Sequence, residues 1–344
     1  CSDAELKPEP RASEANETHG NDQPQLDMSA IKGQLFARRA LEIAAAGGHN
    51  ILLAGPPGSG KTLLARALPS IMPPLDFVEA LDVTRIYSIK GLLPAGTGLI
   101  RQRPFRDPHH TVSDVALIGG GKVPSPGEVS LAHHGVLFLD ELPEFKKSVL
   151  EVLREPLTSG TVSISRAAQT CHFPALFLFA AAMNPCPCGF STDPVRECIC
   201  SRGQLAKYRQ KLSGPLLDRI DLQVQVPRLS PEELVGKPSG ESSAVIRSRV
   251  VAARQIQKLR NTSCACHLNA HIPGKMLNET CRITEEAHNL LLNAARKFAL
   301  SARGYDKVIR ISRTVADLAG SETIEAAHIA EALQYRTRDP FQPD

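Results

Sequence analysis

The sequence predicts an α/β fold, with a central, mostly parallel sheet followed by a small all-α domain. Three observations carry this reading. Short apolar runs at 51–54, 136–139 and 175–182 have the length and composition of strands buried on both faces. Stretches of helical spacing alternate with them, and that alternation implies strands joined by crossovers in a parallel sheet. From about Ser230 the strand signals stop, and 245–260, 284–300, 306–318 and 323–335 all show helical periodicity.

The bulk numbers agree with a folded, water-exposed chain. The 344 residues suffice for two ordinary domains. Hydrophobic residues make up 42% and charged residues 22%, which excludes a disordered chain. No apolar run approaches the roughly 18 residues that a membrane-spanning helix needs, so no membrane partner is expected. Nine cysteines without a signal-peptide pattern suggest a reducing, cytoplasmic setting with free or metal-bound thiols. The formal charge of +4 is compatible with a polyanionic partner, although 4% aromatics and no Trp leave little for base stacking. The chain opens on Cys1 instead of Met, as expected of a piece of a longer protein.

In chain order, residues 1–26 are polar and Pro/Glu-rich and are expected to be a linker or disordered leader. A core domain is expected over 27–229. Within it, a helix at 34–46 ends at Gly47-Gly48, a strand covers 51–54, and a helix begins at 62–68. Residues 91–130 are rich in Gly and Pro with scattered basic residues, and read as loops or an insertion. A strand at 136–139, a helix at 148–153, a hairpin at 161–164 and 171–173, and a strand at 175–182 follow. Residues 230–340 are expected to form a helical lid.

The chemistry concentrates in four places. Residues 55–62 read Gly55-Pro56-Pro57-Gly58-Ser59-Gly60-Lys61-Thr62, a phosphate-binding loop between a strand and a helix. Its glycines let backbone N–H groups turn toward an anion, Lys61 supplies a cation for the β- and γ-phosphates of ATP, and Thr62 offers a hydroxyl to Mg²⁺. The run 136–139 ends in Asp140 and Glu141. A buried strand ending in two carboxylates puts them beside the phosphate loop, where Asp140 holds Mg²⁺ and Glu141 orients or deprotonates water. Asn184 follows the strand 175–182 and is suited to position that water; the alternative is a turn Asn before Pro185. Arg219 is either an arginine finger for a neighbouring subunit or a local partner of Asp218 or Asp221. Separately, Cys186, Cys188, Cys198 and Cys200 form two Cys-x-Cys pairs, a set able to hold a structural Zn²⁺, with four free thiols as the alternative. Cys264, Cys266 and His267 read as a chance cluster.

The phosphate loop, Leu137-Phe138-Leu139-Asp140-Glu141, Ala182-Met183-Asn184-Pro185-Cys186-Pro187-Cys188-Gly189 and Leu216-Leu217-Asp218-Arg219-Ile220-Asp221 together resemble the magnesium-chelatase-like AAA+ ATPases, and within them the YifB/ComM subgroup. Ile31-Lys32-Gly33-Gln34 fits the same subgroup, and the resemblance spans about 27–336. It implies an AAA+ core with a helical lid, assembled as a homo-hexamer that binds ATP between subunits, with Arg219 as the finger. It also implies a sensor arginine in the lid, for which Arg303 is the first candidate and Arg310 the second. A pre-sensor hairpin at 161–173 and an insertion at 91–123, both facing a pore, are implied as well. Members of this subgroup carry a further N-terminal Lon-like domain, and the subgroup implies a motor for branch migration on single-stranded or branched DNA. Arg101, Arg103, Arg106, Lys122 and Arg166 are the candidate phosphate contacts. His109 and His110 read equally well as packing residues. A chelatase- or MoxR-like ATPase that remodels a protein partner is the competing function.

Overall fold

The structure is a computed structural model that describes residues 26–93, 96, 98–121, 123–166, 169–235, 240–262, 267–336 and 341. Of the expected leader, only Leu26 is among them. Five strands form one sheet in the order β2-β5-β8-β1-β9: β1 (Ile51–Ala54), β2 (Phe105–Arg106), β5 (Val136–Leu139), β8 (Leu178–Met183) and β9 (Leu222–Gln225). Every pairing in it is parallel, with Ile51 beside Ala180 and Leu222, and Val136 beside Leu178 and Phe105. Two short antiparallel pairs stand apart from it: β3 (Gly119–Gly120) with β4 (Ser125–Pro126), and the hairpin of β6 (Thr161–Arg166) with β7 (Gln169–Pro174).

The apolar runs form strands because both faces of the sheet are covered. Ile51 and Leu53 point into one core with Phe138, Ala180 and Val224, while Leu52 and Ala54 point into a second with Leu137, Leu139 and Phe179. Successive residues of a strand face opposite ways, so a run buried on both faces must be continuously apolar. The first core is roofed by the helices Leu35–Gly47, Lys61–Ile71 and Ser243–Arg260, and continues without a break into the lid helices Glu285–Lys297, Ala302–Leu318 and Ala326–Gln334. The end of Leu35–Gly47 leaves carbonyls without helical partners. Ser243–Arg260 supplies donors for them: Arg254 binds Ala45 O at 2.6 and 2.9 Å, and Gln257 binds Ala46 O at 3.1 Å.

The insertion expected at 91–123 needs correction. Phe105 and Arg106 sit in the main sheet as its edge strand, because Phe105 stacks on Phe138 with ring centroids 5.9 Å apart. The segment around Asp114–Ile118 and the β3–β4 pair stand apart from the sheet. A helix at Phe77–Ile89, closed by an Asp76/Glu79 capping box, lies in a stretch for which the sequence suggests no element. The strand expected at 175–182 is displaced to Leu178–Met183, since Ala175 belongs to the approach from the hairpin.

At the amino edge of the sheet a buried ion pair ties core to lid. Asp221 lies 3.1 Å from Lys307 Nζ and 3.7 Å from His49 Nδ1, and accepts the backbone N–H of Asn50 at 3.1 Å. Burial pushes the Asp221 carboxyl up, but Lys307 and then His49 outweigh it and hold it below the usual carboxylate range. His49 Nε2 in turn meets Thr314 Oγ1 at 2.7 Å, and Lys307 also reaches Ile220 O at 3.1 Å. Asp221→Asn therefore strands a buried ammonium and should cost about 3 kcal/mol or more in denaturant unfolding. A carboxyl with a lowered folded-state pKa stabilises above its unfolded value near 4. The difference between the two proteins should thus be full at neutral pH, begin to shrink as pH falls below the unfolded value, and be lost as acid titrates Asp221 in the folded protein. An equal stability at pH 7 contradicts this role.

Candidate nucleotide site

Parallel strands bring their carboxyl ends to one edge, so the segments that follow β1, β5 and β8 meet there. After β1 comes the phosphate loop. It turns through left-handed backbone at Gly58 (φ 76°) and Gly60 (φ 91°), and a methyl at Gly55 would collide with Val226 O. The helix Lys61–Ile71 follows with Gly60 at its cap, and no side chain caps its first N–H groups. Those donors and the helix dipole both point to an anion. Gln34, itself buried, grips the loop from outside by donating to Ser59 O at 3.3 Å and Pro227 O at 2.7 Å.

Lys61 is the centre of the site. Its ammonium donates to Gly55 O at 2.8 Å, Pro56 O at 2.9 Å and Asn184 Oδ1 at 3.3 Å. Burial lowers it to about 8, with Asp140 and Glu141 opposing the shift. An anionic phosphate beside it would favour the charged form further. Thr62 Oγ1 donates to Asp140 Oδ2 at 2.7 Å, so the hydroxyl and carboxylate proposed for Mg²⁺ already converge. Glu141 takes a left-handed backbone (φ 53°) with its N–H on Asp140 Oδ1 at 2.8 Å, and its carboxylate is half-exposed. Gly58, Gly60, Lys61, Thr62, Asp140, Glu141 and Asn184 line one cleft of about 390 Å³.

These residues fit a nucleoside triphosphate with Mg²⁺. Ser59 Oγ is buried without a hydrogen-bond partner among the described residues, beside the uncapped helix start. When bound, ATP with Mg²⁺ supplies the reactive phosphoryl group. The chain would hold its phosphates with Lys61 and the N–H groups of 58–62, its metal with Thr62 and Asp140, and water with Glu141 and Asn184.

Two further residues, which the sequence reading did not assign to the site, contact residues that line this cleft. His110 Nδ1 lies 3.5 Å from Glu141 Oε2, held by the edge of Phe145 and stacked on His109. It arrives there because β2 pairs with β5, so the chain following each strand emerges side by side. Tyr208 OH donates to the backbone carbonyl of Asn184 at 3.0 Å. Neither contact has a sequence signal, since each joins residues on different elements.

The remaining candidates lie elsewhere. Arg219 donates to Arg154 O at 3.2 Å, Thr158 Oγ1 at 3.0 Å and Pro215 O at 2.8 Å. Its carbonyl is bound by Asn50, immediately before β1, so Arg219 sits at the amino edge, across the sheet from Lys61. Arg303 pairs with the neighbouring Asp218 at 3.1 Å on the same edge. Arg310 donates to Ile272 O at 2.9 Å and lies 3.8 Å from Asp306. Partial burial, then Arg154 and Arg303, push the Arg219 guanidinium down from its ordinary value.

The candidate DNA contacts need correction at two positions. Arg103 is buried, donating to His134 O at 2.6 Å, to Pro73 O and to Glu79 at 2.9 Å. Arg106 forms a two-bond ion pair with Glu128 at 2.6 and 2.9 Å. Both cations are spent inside the fold. Arg101 is exposed. Arg166 ends β6, with its side chain outside the described residues, as are Lys122, Cys264 and Cys266.

The family model "Magnesium chelatase, subunit ChlI" matches residues 27–234, and that of its C-terminal part matches 240–336. The chain is 45% identical over 313 residues to "Competence protein ComM" of Haemophilus influenzae, covering 90% of this chain and 60% of that protein. It is 42% identical over 317 residues to YifB of Escherichia coli, covering 92% and 61%. It is also 28% identical over 227 residues to the magnesium-chelatase 38 kDa subunit of Rhodobacter capsulatus, covering 61% and 58%. The chain thus spans about 60% of the length of its ComM and YifB relatives.

If Asn184 positions water, removing its amide should separate binding from chemistry. Asn184→Ala is expected to lower kcat for ATP hydrolysis about tenfold to a hundredfold with nucleotide affinity little changed. Lys61→Ala is expected to weaken nucleotide binding itself. Titration with a fluorescent nucleotide beside steady-state rates tells them apart; equal loss of affinity in both variants contradicts the assignment.

Proposed function

The chain belongs to the magnesium-chelatase ChlI family, and on that premise we propose that it is the motor of an ATP-driven homo-hexameric ring that works on DNA. ATP and Mg²⁺ are its cofactors, and the thiol cluster beside Asn184 is the place for a structural Zn²⁺. The observation that carries the ring is the separation of Lys61 from Arg219 and Arg303. A hydrolytic site needs a cation for the charge that develops on the transferred phosphoryl group. The two arginines placed to supply one stand at the opposite edge of the same sheet. A neighbour docked with its amino edge against this carboxyl edge would bring both to the cleft.

The DNA reading rests on the likeness to ComM, a protein named for competence, and on exposed Arg101 and the β6–β7 hairpin that stands outside the main sheet. Such contacts grip phosphates without reading bases. Branch migration is the activity proposed for the whole protein. The commitment of Arg103 and Arg106 to carboxylates favours a second reading, in which the ring remodels a protein partner as chelatase-type ATPases would.

The two readings diverge in solution. A DNA motor should hydrolyse ATP faster with branched or single-stranded DNA, and the stimulation should fall by about tenfold or more between about 50 and 200 mM salt. It should also move a synthetic four-way junction, with Lys61→Ala as the inactive control. An assembled ring whose hydrolysis ignores DNA at all salt concentrations overturns the DNA reading and leaves the protein-remodelling one.

A further inference from the structure

The four clustered thiols lie against the nucleotide site, and their geometry is that of a metal centre. Cys186, Cys188, Cys198 and Cys200 place their Sγ atoms within 4.8 Å of one another. Cys186 and Cys188 are 3.3 Å apart, Cys186 and Cys198 3.7 Å, and Cys188 and Cys198 3.6 Å. Tetrahedral zinc with Zn–S bonds of about 2.3 Å requires sulfur–sulfur separations of about 3.8 Å. Disulfides require about 2 Å, and none of these cysteines is in one.

The backbone is arranged for thiolates. Ser191 N–H donates to Cys186 Sγ at 3.3 Å. The N–H groups of Phe190 and Ile199 face Cys188, and the N–H of Cys200 faces Cys198. Donors of this kind support anionic sulfur, the form that binds metal. No lysine or arginine is hydrogen-bonded to these sulfurs in the described structure, so four thiolates would need a cation to balance them. The thiol-rich donor set selects zinc over magnesium or calcium.

The cluster also closes a ring of contacts around Asn184. Asn184 lies two residues before Cys186. Beyond Cys200, Ser201 caps the helix Arg202–Arg209, and Tyr208 of that helix returns to Asn184 O. Gly189, inside the first thiol turn, packs so closely on the phosphate loop that an added methyl would come within 2.6 Å of Pro57 Cδ. One bond set therefore spans the phosphate loop, Asn184 and the helix that braces it.

We propose that Cys186, Cys188, Cys198 and Cys200 hold one structural Zn²⁺, and that this ion fixes Asn184 and Pro57 in the geometry that ATP hydrolysis requires. The ion has four protein ligands and takes no part in the chemistry. The proposal deepens the zinc assignment above and rests on the reading of residues 55–62 as the ATP site.

The test begins with metal analysis of the full chain purified without chelators, where one zinc per chain is expected. Cys198→Ser with Cys200→Ser should lose the zinc and lower kcat about tenfold to a hundredfold, the cost of a displaced positioning group. Cys171→Ser, in β7 outside the cluster, should keep both. Where the double variant does not fold, zinc extraction from the native chain followed by zinc return should switch hydrolysis off and on, with hydrogen exchange rising at 55–62 and 184–190. Less than about 0.3 equivalents of zinc, or iron in its place, overturns the proposal. So does zinc whose removal leaves hydrolysis and exchange unchanged. Retained nucleotide binding by Lys61→Ala would instead overturn the phosphate-loop reading, whatever the metal content.

Discussion

Because all five strands of the central sheet run the same way, every segment that follows a strand lies on one edge and every segment that precedes one lies on the other. That single constraint distributes the chemistry. Residues that follow strands gather at the carboxyl edge: the phosphate loop after β1, His110 after β2, Asp140 and Glu141 after β5, and Asn184 after β8. The segment that precedes β9 brings Asp218, Arg219 and Asp221 to the amino edge. Acceptors and donors for an anion and its metal are concentrated on one side, and the guanidinium groups of Arg219 and Arg303 on the other.

The lid strengthens this division. An ion-pair contact of the lid with the core runs through Asp221, Lys307 and His49 at the amino edge, and Arg303 of the same lid helix pairs with Asp218 beside Arg219. The buried Asp221 carboxylate and the half-buried Arg219 stand two residues apart, the first in the ion pair with the lid and the second hydrogen-bonded to Arg154 O, Thr158 and Pro215 O. The buried ion pair costs desolvation energy that its contacts offset, and in return it sets the orientation of the lid against the sheet. Lys61, across the sheet, is held by backbone carbonyls and Asn184, and Arg66 of its own helix is paired with Asp107. On the proposed reading, such a subunit carries two halves of a hydrolytic site, and a neighbour brings them together.

Much of this was legible in the sequence, and the omissions have physical causes. The strands at 51–54 and 136–139 announce themselves because burial on both faces demands continuous apolar residues. β2 is two residues long in a Pro-rich stretch, and β9 alternates Leu-Gln-Val-Gln at the edge of the sheet, so neither forms an apolar run. The helix Arg202–Arg209 is polar nearly all round and carries only its Ser201/Gln204 capping box as a signal. The basic residues at 103 and 106 look alike on the page. Their fates depend on Glu79 and Glu128, which a strand pairing brings to them from other elements. The thiol cluster was visible by spacing alone, whereas its closure through Tyr208 and Gly189 depends on the fold.

The central claim is that each active site is completed by a neighbouring subunit, and subunit mixing tests it most directly. Arg219→Ala and Lys61→Ala are each expected to be inactive as homogeneous rings. In mixed rings, an Arg219→Ala subunit keeps an intact phosphate loop and a Lys61→Ala subunit keeps an intact arginine. Where they adjoin in the right order, one complete site forms, and ATP hydrolysis should return to a measurable fraction of the unmodified rate. If the mixture stays as inactive as its components under conditions where subunits exchange, Arg219 acts within its own chain and the shared-site account is wrong.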